Sequence, residues 1–166
     1  ATYSKQAEFH IDDYFRLVKQ ARSAVARFIK ADATEIVLTH NTSEGLLIAL
    51  LNLPMKPGDT ILVMDEVFPA VRYLVDNNLP QINKKYIKFL GRDPVDVITA
   101  HMHNMVKAVV VDYVQFMSGD TIDLRRLGRV SRENDIFLVV DGIQAIGALD
   151  YDVQTYDVDF LACGAA

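Results

Sequence analysis

Apolar residues along this chain follow two kinds of spacing. Near the amino end they recur every three or four positions from Tyr14 to Ile29, which predicts a helix with one buried face over about 4–30. Further along, short runs of consecutive apolar residues alternate with segments of helical spacing. Runs such as "ILVM" at 61–64 and "FLVV" at 137–140 are typical of strands that are buried on both faces.

The predicted elements alternate regularly from residue 35 onwards. Strands are predicted at 35–39, 61–66, 82–89, 107–114, 136–141, 148–153 and 158–163. Helices are predicted at 46–54, 68–78, 93–103 and 123–134. This alternation indicates an α/β fold with three layers, in which a mostly parallel sheet is covered by helices on both faces.

Polar residues stand where several of these predicted strands end: Thr39, Asp65, Asp112 and Asp141. The carboxyl ends of parallel strands meet at one edge of a sheet, and ligands of such folds bind at that edge. We therefore expect these side chains to share one rim, where a binding site would lie.

The composition is that of an ordinary globular protein, with 51% hydrophobic and 23% charged residues among 166. The formal net charge is -5 and no basic stripe is present, so nucleic acid is not expected as a partner. No apolar run approaches the roughly 20 residues that cross a bilayer, so no membrane association is expected. Cys163 is the single cysteine, and no Cys or His pair has metal-ligand spacing. We expect a cytoplasmic protein without a metal, and a small core residue at Cys163.

Both ends of the sequence suggest a piece of a longer protein. Residue 1 is alanine rather than methionine, and the chain stops at Ala166, directly after an apolar strand with no capping element. We expect a helical segment at 1–30 and part of a larger domain at 31–166.

The segment "NTSEG" at 41–45 joins a predicted strand to a predicted helix. Asn41 and Glu44 have the spacing of a capping box, and Thr42 and Ser43 bring hydroxyls and free backbone N–H groups to the first turn. Such a turn suits a phosphate. An ordinary helix cap with nothing bound is the alternative. The Gly-Lys-Ser/Thr ending of a P-loop is absent, which disfavours a nucleotide.

Two further residues of the rim are candidates for ligand contact. Phe68 opens the helix after the second strand, where its ring could stack on a flat ligand or simply border the core. Gln115 lies in the loop after a rim strand, where it could contact the same ligand or stand as a solvated amide.

The motif "DGIQ" at 141–144 comes directly after the apolar run 137–140. Asp141 could close an Asx-type turn with the next backbone amides, or it could face a protonated ring nitrogen while Gln144 donates to a ring oxygen. A phosphatase with Asp141 as nucleophile normally carries a second carboxylate two residues later, and that position is Ile143.

In combination these segments resemble the class V aminotransferase and cysteine desulfurase group of enzymes that use pyridoxal 5'-phosphate (PLP), which have fold type I. The resemblance runs from about 22 to 166 and rests on "NTSE", Phe68 and "VDGIQ" in that order. It implies that Thr42 and Ser43 hold the cofactor phosphate and that Phe68 stacks on the pyridine ring. It further implies that Asp141, the one catalytic residue within the chain, pairs with the pyridine nitrogen, and that Gln144 and Gln115 lie near the phenolic oxygen.

The resemblance also identifies a catalytic residue beyond the chain and two departures from the family pattern. Ala166 stands one position before the family's Schiff-base lysine, so we expect these 166 residues alone to be inactive. Gly164 replaces a common phosphate-binding serine, and Ala166 replaces the usual histidine. Segment 31–166 is then part of the PLP-binding large domain, with the rest of that domain and the small domain absent.

The function implied is PLP-dependent chemistry on an amino acid in a homodimer, most simply transamination. Cysteine desulfuration and an isopenicillin-N-epimerase-like reaction are alternatives within the same family. Two alternatives of other classes remain, namely a noncatalytic α/β binding module and a phosphatase that uses Asp141.

Overall fold

The computed structural model describes residues 11–164, which group into two compact units. One unit contains 11–38 and 151–154. The other contains 39–150 and 155–164 and includes the whole sheet.

The first unit is built around the long helix α1, Ile11–Ile29. Its start falls inside the predicted helix, whose residues 4–10 lie outside the described part of the chain. Lys30 has a φ of 61°, which ends the helix, and the Arg22 guanidinium donates to the carbonyl of Ala33 at 2.6 Å and 3.1 Å. These contacts fold the chain after α1 into a short 3-10 helix, Ala33–Glu35.

The strand predicted at 35–39 is wrong. Asp32 caps the 3-10 helix that contains Glu35, accepting a hydrogen bond from the backbone of Thr34 at 2.7 Å. No described strand pairs with residues 36–39, and the side chain of Val37 is 72% exposed. The β-branched composition suited a strand, but a strand also requires a hydrogen-bonding neighbour. Thr39 therefore does not terminate a strand.

The second unit is a parallel sheet of five strands flanked by helices. The strands are β1 Thr60–Met64, β2 Asn83–Ile87, β3 Val106–Asp112, β4 Phe137–Asp141 and β5 Phe160–Ala162. The helices of this unit are α2 Thr42–Asn52, α3 Pro69–Asn78, α4 Pro94–Thr99 and α5 Leu124–Glu133. A sixth helix, α6 Val153–Tyr156, has residues in both units.

The strand order is β2-β1-β3-β4-β5, and every described pairing is parallel. The chain moves one way along the sheet from β1 to β2 and the other way from β2 to β5. Because parallel crossovers are right-handed, α3 covers one face of the sheet while α4 and α5 cover the other. Helix α2 packs against α3 and so lies on the first face. The predicted three-layer α/β/α fold is confirmed.

The core of the second unit lies in the central strands. Every residue of β1 is buried, and β3 and β4 are buried except near their first residues. This explains why the central strands read as continuous apolar runs, since helices cover both of their faces. The edge strand β2 instead alternates between exposed and partly buried residues before it ends at the buried Ile87.

The strand predicted at 148–153 is also wrong. The segment was predicted as a short strand, yet it forms turns and the first residue of α6. The backbone N–H of Leu149 donates to the carbonyl of Ala145 at 2.8 Å, so the start of the segment belongs to a turn. Gly147, the residue just before this segment, has a φ of 97°, which lies outside the range of extended strand backbone.

Gly128 provides a direct test of packing in this unit. A Cβ atom added there would lie 1.9 Å from the carbonyl oxygen of Tyr156, and a backbone atom cannot rotate away. We expect Gly128→Ala to lower the free energy of unfolding by at least about 2 kcal/mol, as measured by urea denaturation.

Ser131 on the same helix supplies the matched control. Its hydroxyl is buried and has no hydrogen-bond partner within the described residues. Ser131→Ala should therefore be neutral or stabilise by about 1 kcal/mol. An equal loss of stability in both variants would contradict the proposed close contact at Gly128.

Candidate active site

Two aspartates stand side by side at the carboxyl edge of the sheet. Asp112 ends β3, Asp141 ends β4, and the two residues are partners in the parallel register. Each is only 4% exposed. Residues paired in register point to the same face, so two carboxyl groups are buried next to each other at the rim.

A third aspartate at the same edge has a different environment. Asp65 lies just after β1 and forms ion pairs with Arg72 at 3.2 Å and Lys88 at 3.6 Å. Within residues 11–164, neither Asp112 nor Asp141 has a basic partner. Both carboxyl groups are therefore buried without a neighbouring positive charge in this part of the chain, which is costly for the ionised form.

Asp141 adopts part of the turn that its motif predicts. Its Oδ1 accepts a hydrogen bond from the backbone N–H of Ile143 at 3.0 Å, and the Gly142 carbonyl accepts from Ile146 at 2.9 Å. The Asx-type contact and a single helical turn are thus both present. Burial raises the pKa of Asp141, and the Ile143 hydrogen bond offsets part of that rise. Gln144 is exposed on this turn and makes no hydrogen bond with the described residues.

The pKa of Asp112 is raised as well. Burial, and then the charge of Asp141, raise its pKa to about 7, against a lowering by the backbone N–H of Phe68. Its Oδ2 accepts that N–H at 3.0 Å, whereas its Oδ1 is buried without a partner in the described region. Asp112 was expected at the rim, but its contact with Phe68 was not predicted, because the two residues lie 44 positions apart.

The amino end of α2 forms a second part of the site. The helix begins at Thr42, and the side chain of Asn41 accepts from the backbone N–H of Glu44 at 2.9 Å. Only half of the expected capping box forms, because the Glu44 carboxylate accepts from the backbone of His40 at 2.6 Å instead of that of Asn41. Both Thr42 and Ser43 are half-buried, and no described residue hydrogen-bonds to their hydroxyls.

Gly164 lies close both to the first turn of α2 and to the turn after Asp141. A Cβ placed on Gly164 would be 2.5 Å from Cδ1 of Ile143 and 3.7 Å from Oγ1 of Thr42. The segments "NTSEG" and "DGIQ" therefore come close to each other at Gly164, just after β5. Ile143 occupies the space that a side chain at residue 164 would need.

Phe68 stands at the lip of the site and its side chain is 43% exposed. Its ring meets the ring of Phe116 edge to face, with centroids 5.3 Å apart and an angle of 87° between planes. Complete burial in the core is thus excluded for Phe68. No sequence pattern predicted that Phe116 would contact Phe68.

Gln115 is buried, although one interpretation of the sequence made it a solvated loop amide. It is only 8% exposed, and that interpretation is wrong. Its Nε2 donates to the carbonyl of Glu66 at 2.8 Å, and its Oε1 accepts from the backbones of Met117 and Ser118. The amide therefore holds two rim loops together, and a cofactor contact would use its remaining N–H.

Cys163 lies directly after β5 and is half-buried. Burial, and secondarily the charge of Asp141, raise its pKa, so its thiol is protonated at neutral pH. Residues 11–164 contain no cluster of His, Cys, Asp or Glu that could hold a metal ion. None of the described helices is long and apolar enough to cross a membrane.

Comparison with known proteins identifies relatives that match most of this chain. A probable cysteine desulfurase of Methanothermobacter thermautotrophicus is 30% identical over 157 residues, covering 89% of this chain and 38% of the relative. The hercynylcysteine sulfoxide lyase of Schizosaccharomyces pombe is 24% identical, covering 95% of this chain and 42% of the relative. The chain thus spans about two fifths of these curated relatives.

A solved structure shows the same fold. It is a mutant of C-DES with glycine covalently linked to the PLP cofactor, and it superposes with a TM-score of 0.87 at 23% identity. The likeness covers 96% of this chain and 45% of that one. The sequence model of the family "aminotransferase class-V" matches residues 4–166. With the match extending over nearly its whole length, this chain belongs to the class-V aminotransferase family.

Proposed function

We propose that this chain is part of the cofactor-binding domain of a PLP-dependent enzyme that acts on an amino acid, with transamination as the primary reaction. Family membership supports the cofactor and the enzyme class. The observation that carries the proposal is Asp141, a buried carboxyl group at the ligand edge of a parallel sheet with no basic partner among the described residues.

The residues of the rim fit the parts of PLP. Thr42 and Ser43 would hold the phosphate with their hydroxyls and backbone N–H groups, because the positive end of the α2 dipole favours an anion there. Phe68 would lie against one face of the pyridine ring. The side-chain amide of Gln144 would donate a hydrogen bond to the phenolic oxygen. Gln115 would donate to the same oxygen with the N–H that does not bond to Glu66.

In this arrangement Asp141 is the residue that would interact with the ring nitrogen of the cofactor. When bound, PLP supplies an electron sink for the pair released when a bond at an amino acid Cα breaks. The Asp141 carboxylate would accept a hydrogen bond from the protonated ring nitrogen and would keep that proton in place. Burial strengthens this charge-assisted hydrogen bond, since the surrounding dielectric is low.

Cysteine desulfuration is the second candidate reaction. Its support is the relative that is 30% identical, which is described as a probable cysteine desulfurase. We also propose that the full-length protein is a cytoplasmic homodimer, in analogy with its family.

Titration of the full-length protein with PLP tests this function. We expect a visible absorption band on binding, and no such band with pyridoxine 5'-phosphate, which lacks the aldehyde. Failure to bind PLP would contradict the proposal and favour a noncatalytic module. Phosphatase activity that depends on Mg²⁺ and disappears in Asp141→Asn would instead favour the hydrolase.

A further inference from the structure

The backbone of Phe68 is fixed on both sides. Its N–H donates to Oδ2 of Asp112 at 3.0 Å, and its carbonyl accepts the first helical hydrogen bond of α3 from Val71 at 2.9 Å. Phe68 is the N-cap residue of α3 but has no side-chain capping group, and the next residue, Pro69, has no N–H. The contact with Asp112 therefore ties the entry of this helix to the end of β3.

The position of the Phe68 ring results from this anchoring. With both backbone groups fixed, the ring retains mainly its side-chain rotations, and the edge-to-face contact with Phe116 restricts these further. The ring nevertheless remains 43% exposed at the rim. A partly exposed aromatic ring that is held from behind is preorganised for a flat ligand.

We propose that Asp112 is a positioning residue of the cofactor site, whose carboxyl oxygen holds the backbone of Phe68 so that the aromatic ring lies against the bound cofactor. This inference rests on the proposed function, because the cofactor is the ligand that the ring would meet. Asp112 acts through Phe68 and needs no contact with the cofactor of its own.

The proposed role requires a hydrogen-bond acceptor rather than a negative charge. Asparagine at position 112 offers a carbonyl oxygen of the same reach, whereas leucine has a similar size without an acceptor. Alanine removes the acceptor without adding bulk, and it serves as a second variant if the leucine variant fails to fold.

The first experiment measures the Phe68 contact in the cofactor-free full-length protein. Amide hydrogen exchange at Phe68 should accelerate about tenfold or more in Asp112→Leu and Asp112→Ala, and Asp112→Asn should recover most of the protection. This readout does not depend on the cofactor. Unchanged exchange in both variants without an acceptor would overturn the proposal.

The second experiment measures PLP affinity and the circular dichroism of the visible band of the bound cofactor. We expect Asp112→Leu or Asp112→Ala to weaken binding about tenfold and to reduce the dichroism, with recovery in Asp112→Asn. In a Phe68→Ala background, the same substitutions should change affinity less than twofold, because the ring through which Asp112 acts is gone.

A matched control separates positioning from general stability. Asp159 accepts a hydrogen bond from the backbone N–H of Leu138 at 2.8 Å, near the opposite end of β4. Asp159→Ala removes a comparable carboxylate–amide contact and should leave the dichroism of the bound cofactor unchanged. An equal effect of Asp159→Ala, or a full Asp112→Ala effect in the Phe68→Ala background, would overturn the proposal. Absence of PLP binding by the wild-type protein would instead refute the proposed function.

Discussion

Replacing Asp141 with alanine in the full-length protein is expected to lower turnover of its amino acid substrate about 10³-fold. Breaking a buried charge pair costs on the order of 3–5 kcal/mol, and each 1.36 kcal/mol of barrier corresponds to a factor of ten in rate. Asp141→Asn should lose nearly as much despite its similar shape, because in the proposed site the negative charge would retain the proton on the ring nitrogen. The measurement is steady-state kinetics with cysteine and with other amino acids.

Asp65 is the matched control for this prediction. It stands at the same edge of the sheet, but Arg72 and Lys88 already neutralise its charge. Asp65→Asn should change turnover by no more than about threefold, since exposed ion pairs contribute little. Similar losses in Asp65→Asn and Asp141→Asn would show that any charge change at the rim impairs the enzyme, and would contradict the special role of Asp141.

The double substitution Thr42→Ala with Ser43→Ala is expected to weaken PLP binding about 100-fold or more. Each hydroxyl would donate one hydrogen bond to a charged phosphate, and such bonds contribute about 1.5–3 kcal/mol each. Alanine is a good helix former, so α2 should persist. The measurement is the dissociation constant of PLP, obtained from the visible absorption band.

Pyridoxal, which lacks the phosphate, provides the test of specificity. Its affinity should change less than threefold in the same double variant, because the lost hydroxyls have no phosphate to bind. Thr99→Ala removes a helical hydroxyl that donates to the Val95 carbonyl at 2.7 Å in α4, and should affect neither ligand. A parallel loss of pyridoxal affinity would place Thr42 and Ser43 somewhere other than the phosphate site.

The sequence predicted the sheet and its rim because the central strands are covered on both faces. Burial on both faces leaves an apolar run that is hard to mistake, as in β3 and β4. The strands predicted at 35–39 and 148–153 are wrong. In those segments capping by Asp32 and the turn at Gly147 determine the local structure.

The candidate site was predicted in the same uneven way. Asp141 and the first turn of α2 were recognisable because a local motif carries each of them. The contact between Asp112 and Phe68 and the bridging role of Gln115 depend on residues far apart in the chain. No local pattern records such contacts, because the topology of the sheet brings the residues together.

The protonation state of the cofactor ring nitrogen tests the central claim most directly. The full-length protein would be loaded with PLP that carries ¹⁵N in the ring, and the nitrogen resonance would be recorded for the wild type and for Asp141→Ala at mildly alkaline pH. We predict a protonated nitrogen in the wild type and an unprotonated one in the variant. An unprotonated nitrogen in the wild type, or the same resonance in both proteins, would contradict the pairing of Asp141 with the ring.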